Sequence, residues 1–231
     1  MKNLKRIAAC VFSICCIGTT FAQNDQPKLE NEVFAGLSLN NFTGDDIENT
    51  DMKLGFHAGI TARYFFVKDV FLEGSLGIAT KGYKITNQYS SGSTWNDDGY
   101  NYDSEVTTKY SSYNLEIPIL IGYKYTINKD INIKAKIGPY FTYALAGKQT
   151  EKGYEIYYPD IHSSEKDYID EETKIGDMSG FKNFGYGLHA GLSVEYNRYT
   201  LSASYQRGFS KVFDKAKTYE QNFLISVGYR F

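Results

Sequence analysis

Hydrophobic and polar residues alternate with a period of two along eight segments of the chain. In the last segment, every second residue from Phe223 to Phe231 is apolar, whereas Ser226, Gly228 and Arg230 lie between them. Successive side chains of a β-strand point to opposite faces, so this period predicts strands with one apolar face. The other seven segments are 33–39, 54–64, 70–81, 113–125, 131–145, 186–196 and 199–205.

The connections between these segments alternate between short and long. The short connections lie near 67–69, 126–130 and 197–198, and the long ones are 43–53, 85–107, 148–183 and 210–221. Outer-membrane barrels have tight periplasmic turns and extended outer loops, whereas a soluble sandwich gives no reason for this alternation. The sequence therefore predicts an all-β fold, an eight-stranded antiparallel up-and-down transmembrane β-barrel over residues 33–231, with short periplasmic turns and four longer outer loops.

The two faces of the predicted strands differ in chemistry. One face is aliphatic with Tyr or Phe near the strand ends, as in a lipid-facing band bordered by aromatic girdles. Eight strands enclose a space that side chains just fill. We therefore expect inward charges to pair across a plugged lumen, although some of them could instead reach water at the rims. The candidate lumen charge network is Arg63, Glu73, Glu116, Lys134, Lys136 and Glu195.

Residues 1–22 have the features of an export signal. Lys2, Lys5 and Arg6 precede a short apolar run, and small residues lead up to Ala22. This pattern predicts a signal peptide cleaved after Ala22, with a short periplasmic N-terminal segment at 23–32. The apolar run is too short for a membrane anchor.

A lipoprotein cleavage box is the competing interpretation of the same region. Ile7-Ala8-Ala9-Cys10 fits such a box but follows Arg6 directly, which leaves almost no apolar stretch before it. Cleavage after Ala22 would remove all three cysteines (Cys10, Cys15 and Cys16). We therefore expect no disulfide and no cysteine-ligated metal.

The composition argues against several other classes of protein. A mean hydropathy of −0.41 does not fit a protein with several membrane-spanning helices. The 21 Tyr and 15 Phe exclude a disordered chain, which is poor in aromatic residues. The formal net charge is −2, and no cluster of basic residues indicates a nucleic-acid partner.

The fourth segment carries Leu115-Glu116-Ile117-Pro118, and Pro118 within a strand predicts a bulge. With the signal peptide and the terminal Tyr229-Arg230-Phe231, this element resembles the PorT-type outer-membrane β-barrel family of Bacteroidota. The resemblance implies an eight-stranded outer-membrane barrel. The namesake branch of that family is tied to type IX secretion and gliding, which makes an envelope protein partner possible.

The final strand also resembles the signal that the outer-membrane assembly machinery reads during insertion. The physical interpretation is an amphipathic strand that pairs with the first strand and closes the barrel. The candidate assembly signal is Phe223, Ile225, Val227, Tyr229 and Phe231.

The predicted outer loops are acidic and rich in Tyr. Asp97-Asp98-Gly99 is typical of a turn, and the neighbouring Trp95 and Tyr100 could contact a ligand or pack the loop onto the rim. Loop acids could bind divalent cations or repel anionic polymers, or they could only keep the rim solvated. His162 is the one loop histidine, and no nucleophile, metal or phosphate-loop motif accompanies it. We expect no catalytic, cofactor-binding or metal site.

These features predict a non-enzymatic protein of the outer membrane. Its expected partners are outer-membrane lipid and lipopolysaccharide, the assembly machinery and an envelope protein. The expected role is to present the acidic, Tyr-rich loops for envelope or surface interactions. An accessory subunit of a type IX-like secretion complex and a narrow diffusion channel remain the alternatives.

Overall fold

The structure, a computed structural model, describes residues 29–45, 50–91, 101–160, 163–214 and 216–231. The predicted signal peptide (1–22), Trp95, the Asp97-Asp98-Gly99 turn, Tyr100 and His162 lie outside the described residues. The strands are β1 (Leu29–Gly44), β2 (Thr50–Asp51), β3 (Lys53–Val67), β4 (Val70–Ser91), β5 (Asn101–Thr126), β6 (Ile131–Asp160), β7 (Ser163–Lys174), β8 (Phe184–Tyr196), β9 (Tyr199–Gly208) and β10 (Thr218–Arg230). The first strand begins at Leu29, so it includes the end of the predicted 23–32 segment.

Eight of these ten strands close into a ring. Strand β1 pairs with β3 on one side and with β10 on the other, so the first and last strands join. The order around the ring is β1, β3, β4, β5, β6, β8, β9 and β10, and every pairing is antiparallel. Because the ring is closed, neither the first nor the last strand is left as a free edge. The predicted eight-stranded antiparallel barrel is confirmed.

Three short turns lie at one end of the ring, which we call the turn end, and the opposite end is the loop end. In the turn between β5 and β6, Asn128 Oδ1 accepts hydrogen bonds of 2.9 Å from the backbone N–H groups of Asp130 and Ile131. Between β8 and β9, Asn197 adopts a φ of 54°, a left-handed conformation that Asn tolerates. Local side-chain chemistry therefore fixes these turns.

At the loop end, β4, β5 and β6 run past the ring and β7 pairs along β6. We call this four-stranded extension (82–91, 101–112, 147–160 and 163–174) the projecting sheet. Much of the predicted loops 85–107 and 148–183 is therefore strand. Polar residues occupy both faces of this sheet, so no period-two apolar pattern marks it in the sequence.

The prediction of a bulge at Pro118 is wrong. Strands β4 and β5 keep one register on both sides of Pro118, and the register shift between β5 and β6 lies at Tyr113 and Asn114. Pro118 removes a backbone donor from the ladder without adding a residue. The described helical residues, Ile175–Asp177, form one short 3-10 turn. In the part of the chain that the structure describes, no helix is long and apolar enough to cross a membrane.

Candidate functional site

Charged side chains fill the half of the lumen near the turn end. Arg63 lies at their centre, directly opposite Glu30 on β1 and Glu73 on β4. Arg63 Nη2 and Nε donate hydrogen bonds to Glu73 Oε2 at 2.7 and 2.9 Å, and Nη1 donates to Glu30 Oε2 at 3.1 Å. We call the whole group the turn-end network: Glu30, Glu32, Arg63, Glu73, Lys124, Lys134, Lys136, Glu195 and Arg230.

Glu30 is the acid with the most partners in this network. Besides Arg63, its carboxylate lies 2.9 Å from Arg230 Nη1, 3.4 Å from Lys134 Nζ and 3.5 Å from Lys124 Nζ. Lys124 and Lys134 are directly opposite each other on β5 and β6. Two facing lysines repel each other, so Glu30 between them compensates for that repulsion.

The remaining contacts give Glu73 and Glu195 more than one cation each. Lys136 Nζ donates to Glu73 Oε1 at 2.6 Å. Lys134 Nζ donates to Glu195 Oε2, whose other oxygen lies 3.6 Å from Arg230 Nη2. Buried charges are tolerated when they are paired and hydrogen-bonded in this way.

A second group, which we call the Lys81 cluster, lies closer to the loop end. Lys81 Nζ is 2.9 Å from Glu116 Oε1 and 2.5 Å from Glu220 Oε2. The same ammonium lies 5.0 Å from the centre of the Tyr140 ring, within cation–π range. Gln206 Nε2 donates to Glu116 Oε2 at 3.3 Å. Of the six predicted network residues, the structure brings five together in the turn-end network and places Glu116 in the Lys81 cluster.

A cavity of about 50 Å³ lies between the two groups and is lined by members of both. A polar space of this size can hold a few water molecules. His189 lines the cavity, and its Nε2 has no hydrogen-bond partner among the described residues. The lumen is thus packed with paired charges around a small polar space.

Apolar and aromatic side chains fill the lumen at the loop end, and we call this group the aromatic plug. The Phe42 ring lies 4.9 Å from the Tyr83 ring and 5.6 Å from the Tyr110 ring, centre to centre. The members of the plug are Phe42, Tyr83, Tyr110, Ala144, Ile175 and Val212. Phe42 and Tyr110 are each only 1% exposed. Nothing in the alternating pattern of the sequence predicted this plug.

The outer wall of the ring is apolar. Its exposed side chains include Leu54, Ile121 and Leu192, and tyrosines such as Tyr64 and Tyr113 lie towards the two ends. The residues of the candidate assembly signal are also exposed on the outside, four on β10 and Phe231 directly after it, with exposures of 38–63%: Phe223, Ile225, Val227, Tyr229 and Phe231. Their role in assembly remains a prediction.

The lumen-side face of the projecting sheet carries acids, whereas its other face carries both lysines and acids. On the face that continues the lumen side, Glu151 is directly opposite Glu171, and Glu155 is directly opposite Asp167. On the face that continues the lipid-facing wall, two pairs of lysines face each other across neighbouring strands: Lys84 with Lys109 and Lys148 with Lys174. The acids of the lumen-side face therefore face one another, whereas Lys148 and Lys152 on the other face pair with Glu172 and Asp170.

Several lumen residues were missing from the predicted network. Glu30 and Glu32 fell in the segment assigned to the periplasm, because the apolar alternation begins only at Val33. Lys81, Lys124 and the other missed residues have the inward parity, but parity does not reveal which charges meet across a ring.

Solved structures of several outer-membrane proteins are remotely similar to this chain. Ail, the attachment invasion locus protein of Yersinia pestis, is 17% identical over 87% of this chain and 98% of its own, with a TM-score of 0.36. Ail from Yersinia pestis in complex with the heparin analogue sucrose octasulfate is 15% identical over 88% of this chain and 99% of its own, with a TM-score of 0.39. Neisserial surface protein A is 14% identical over 87% of this chain and 97% of its own, with a TM-score of 0.35. Such remote similarities assign no function.

A comparison with curated protein sequences found no match. The profile of the outer membrane protein beta-barrel domain matches residues 21–214, which is most of the chain. The chain therefore belongs to the outer membrane protein beta-barrel domain family, and its place is the outer membrane.

Proposed function

We propose that the protein is a non-enzymatic outer-membrane barrel that presents the projecting sheet outside the cell to a positively charged envelope or surface partner. The observation that carries this proposal is the two pairs of facing acids on the lumen-side face, Glu151 with Glu171 and Glu155 with Asp167. Like charges directly opposite each other destabilise a sheet, and a cationic partner would relieve that repulsion.

The edge of the sheet supports the same proposal. Among the described residues, β7 pairs only with β6, so its other edge is open to a further strand. Its sequence holds five acidic and two basic residues, and Tyr168 is 77% exposed. An extended basic segment could add to this edge through backbone hydrogen bonds while its charges meet the acids.

Cysteine labelling tests which end of the barrel faces outward. The predicted mature chain has no cysteine, so Tyr168→Cys in β7 and Lys129→Cys in a short turn introduce single thiols. We expect a membrane-impermeant maleimide to label Tyr168→Cys in intact cells and Lys129→Cys only after the outer membrane is opened. The reverse pattern would overturn the proposed orientation.

A binding measurement tests the acidic face. The probe is a synthetic peptide of alternating Lys and Thr, and binding is measured by biolayer interferometry at low salt. Glu151→Gln with Glu171→Gln should weaken binding about tenfold, because exposed ion pairs are strongest at low ionic strength. Asp45→Asn with Asp214→Asn makes the same charge change elsewhere at the loop end and should change binding little. Equal weakening by both pairs would show that only net charge matters.

The resemblance to PorT-type barrels makes a subunit of a secretion complex the second candidate. A photocrosslinking amino acid at Tyr168 or at Lys129 separates the two roles in whole cells. A surface-display role predicts adducts from position 168, whereas a periplasmic docking role predicts adducts from position 129. Adducts from position 129 alone would contradict the display role.

A further inference from the structure

The wall of the barrel is incomplete between β3 and β4 near the loop end. The backbone pairing of these strands stops at His57 and Ala79, although both strands continue. Past the break, β4 pairs with the short strand β2. At the break, the Thr80 hydroxyl accepts a hydrogen bond from Phe56 N–H at 2.7 Å and lies 3.3 Å from the Phe56 carbonyl oxygen. A side chain thus replaces part of the missing ladder.

A crevice of about 380 Å³ opens at this break, and we call it the β3–β4 crevice. Its outer part is apolar and lies on the lipid-facing wall, where Leu37, Leu54, Phe56 and Tyr113 are 48–64% exposed. Its inner part reaches Asn40, Lys81 and Ser112, which are buried. The crevice therefore joins an apolar surface in the membrane to polar groups of the lumen.

Basic side chains lie on the loop-end side of the crevice, one in its lining and two beyond it on β4 and β5. Lys53 lies in its wall, and its Nζ donates to the Tyr110 carbonyl oxygen at 2.9 Å and to Ser111 Oγ. Lys84 and Lys109 face each other on the outward side of β4 and β5. Lys84 has only a distant ion pair, 3.7 Å from Asp51, and Lys109 has none with any residue that the structure describes. Two facing lysines without a full counterion favour an added anion.

The position of Lys84 and Lys109 relative to the membrane surface indicates which kind of anion they would bind. Lys109 precedes Tyr113 by four residues on the same face of β5, a separation of roughly 14 Å along an extended strand. Interfacial tyrosines lie at the level of lipid head groups, and lysine side chains reach back towards that level. A phosphate on a lipid head group would meet Lys84 and Lys109 there.

We propose that the β3–β4 crevice binds one membrane lipid with an anionic, phosphate-bearing head group. An acyl chain lies along Leu54, Phe56 and Tyr113, and the phosphate contacts Lys84 and Lys109. A bilayer lipid fits better than a free phosphate ion because the outer lining is apolar and faces the membrane. This site is separate from the acidic face of the projecting sheet, so it stands whether or not that face binds a partner.

Quenching by brominated lipids tests the proposal. Trp95, the one tryptophan of the chain, is changed to Phe, and Phe56→Trp places a reporter in the crevice. The refolded protein in detergent is titrated with phosphatidic acid or phosphatidylcholine carrying brominated acyl chains. We expect phosphatidic acid to quench the reporter at about tenfold lower mole fraction, because each lysine near an anionic head group favours it.

Matched variants separate the site from general charge attraction. Lys84→Gln with Lys109→Gln should abolish the preference, whereas Lys68→Gln with Lys129→Gln at the turn end should leave it intact. Heat-modifiable gel mobility verifies that each variant is folded. Equal quenching by both lipids, or equal loss in both double variants, would overturn the proposal. Displacement of the lipid by millimolar sodium phosphate would also overturn it, by assigning the lysines to a free anion.

Discussion

The two halves of the lumen are filled by opposite chemistries. Near the turn end, Arg63 and its acidic neighbours form a hydrogen-bonded network of full charges. Near the loop end, Phe42, Tyr83 and Tyr110 pack ring against ring with apolar neighbours. Both arrangements exclude solvent, but their energies depend on different things. The contribution of a buried charge to stability depends on its individual partners. The contribution of a buried aromatic ring depends mainly on the volume that it fills.

This difference predicts different responses to substitution. Removing one member of the charged half leaves other charges buried without a counterion. An uncharged side chain of similar size does not restore the lost ion pairs. Removing one ring from the plug leaves a cavity, which another apolar side chain can partly fill.

The largest effect is expected for Arg63→Met. This change keeps most of the volume but leaves Glu30 and Glu73 without their central cation, so we expect a loss of about 3–5 kcal/mol in the free energy of unfolding. Urea unfolding of the protein in lipid vesicles, followed by circular dichroism, measures it. Arg198→Met in the exposed β8–β9 turn is the control. A loss no larger than the ~0–1 kcal/mol of a surface ion pair would contradict the account.

Phe42→Ala should have the next largest effect. Its ring is almost fully buried among Tyr83 and Tyr110, so the cavity should cost about 3 kcal/mol. Phe42→Leu should recover a large part of this loss in the same unfolding measurement. We expect no such recovery by an apolar side chain in the charged half. If Phe42→Leu is as unstable as Phe42→Ala, the plug does not act by filling volume.

Thr80→Val should cost less, about 1 kcal/mol, because it removes the hydroxyl that bonds to Phe56 at the break in the wall. Hydrogen exchange should show faster exchange of the Phe56 amide. Thr86→Val removes a comparable hydroxyl in the projecting sheet and should leave the Phe56 amide unchanged. Unchanged exchange in Thr80→Val would show that the side chain does not bridge the gap.

The smallest effect is expected for Lys152→Gln. Its ion pair with Asp170 on the projecting sheet has a length of 2.9 Å, but both side chains are more than half exposed. Such pairs contribute about 0.2–1 kcal/mol and are screened by salt. The expected change in unfolding free energy is at the lower end of that range, and a change as large as that of Phe42→Ala would contradict it.

The barrel strands could be predicted from the sequence because lipid imposes a strict pattern. Leu54, Phe56 and their equivalents must face hydrocarbon at every second position, so the period-two signal is strong. The period-two pattern stops where the strands leave the membrane. Beyond the aromatic plug, the projecting sheet has water on both faces, and residues such as Thr86, Asn87 and Gln88 resemble a loop although they form a strand.

Contacts inside the ring could be predicted only in part. Inward parity was visible for Arg63 and Lys134, but their meeting with Glu30 depends on β1 beginning at Leu29. The aromatic plug and the break between β3 and β4 arise from pairing across distant segments, such as Phe42 with Tyr110. Single-strand periodicity contains no information about those pairings.

In the proposed function, the barrel is an anchor with a filled lumen and the projecting sheet carries the interaction. The most direct test is the conductance of the refolded protein in a planar lipid bilayer. The packed charges and the aromatic plug predict no steady ion current above that of the protein-free bilayer. A reproducible open-channel current from the unmodified protein would contradict the account and favour a narrow diffusion channel.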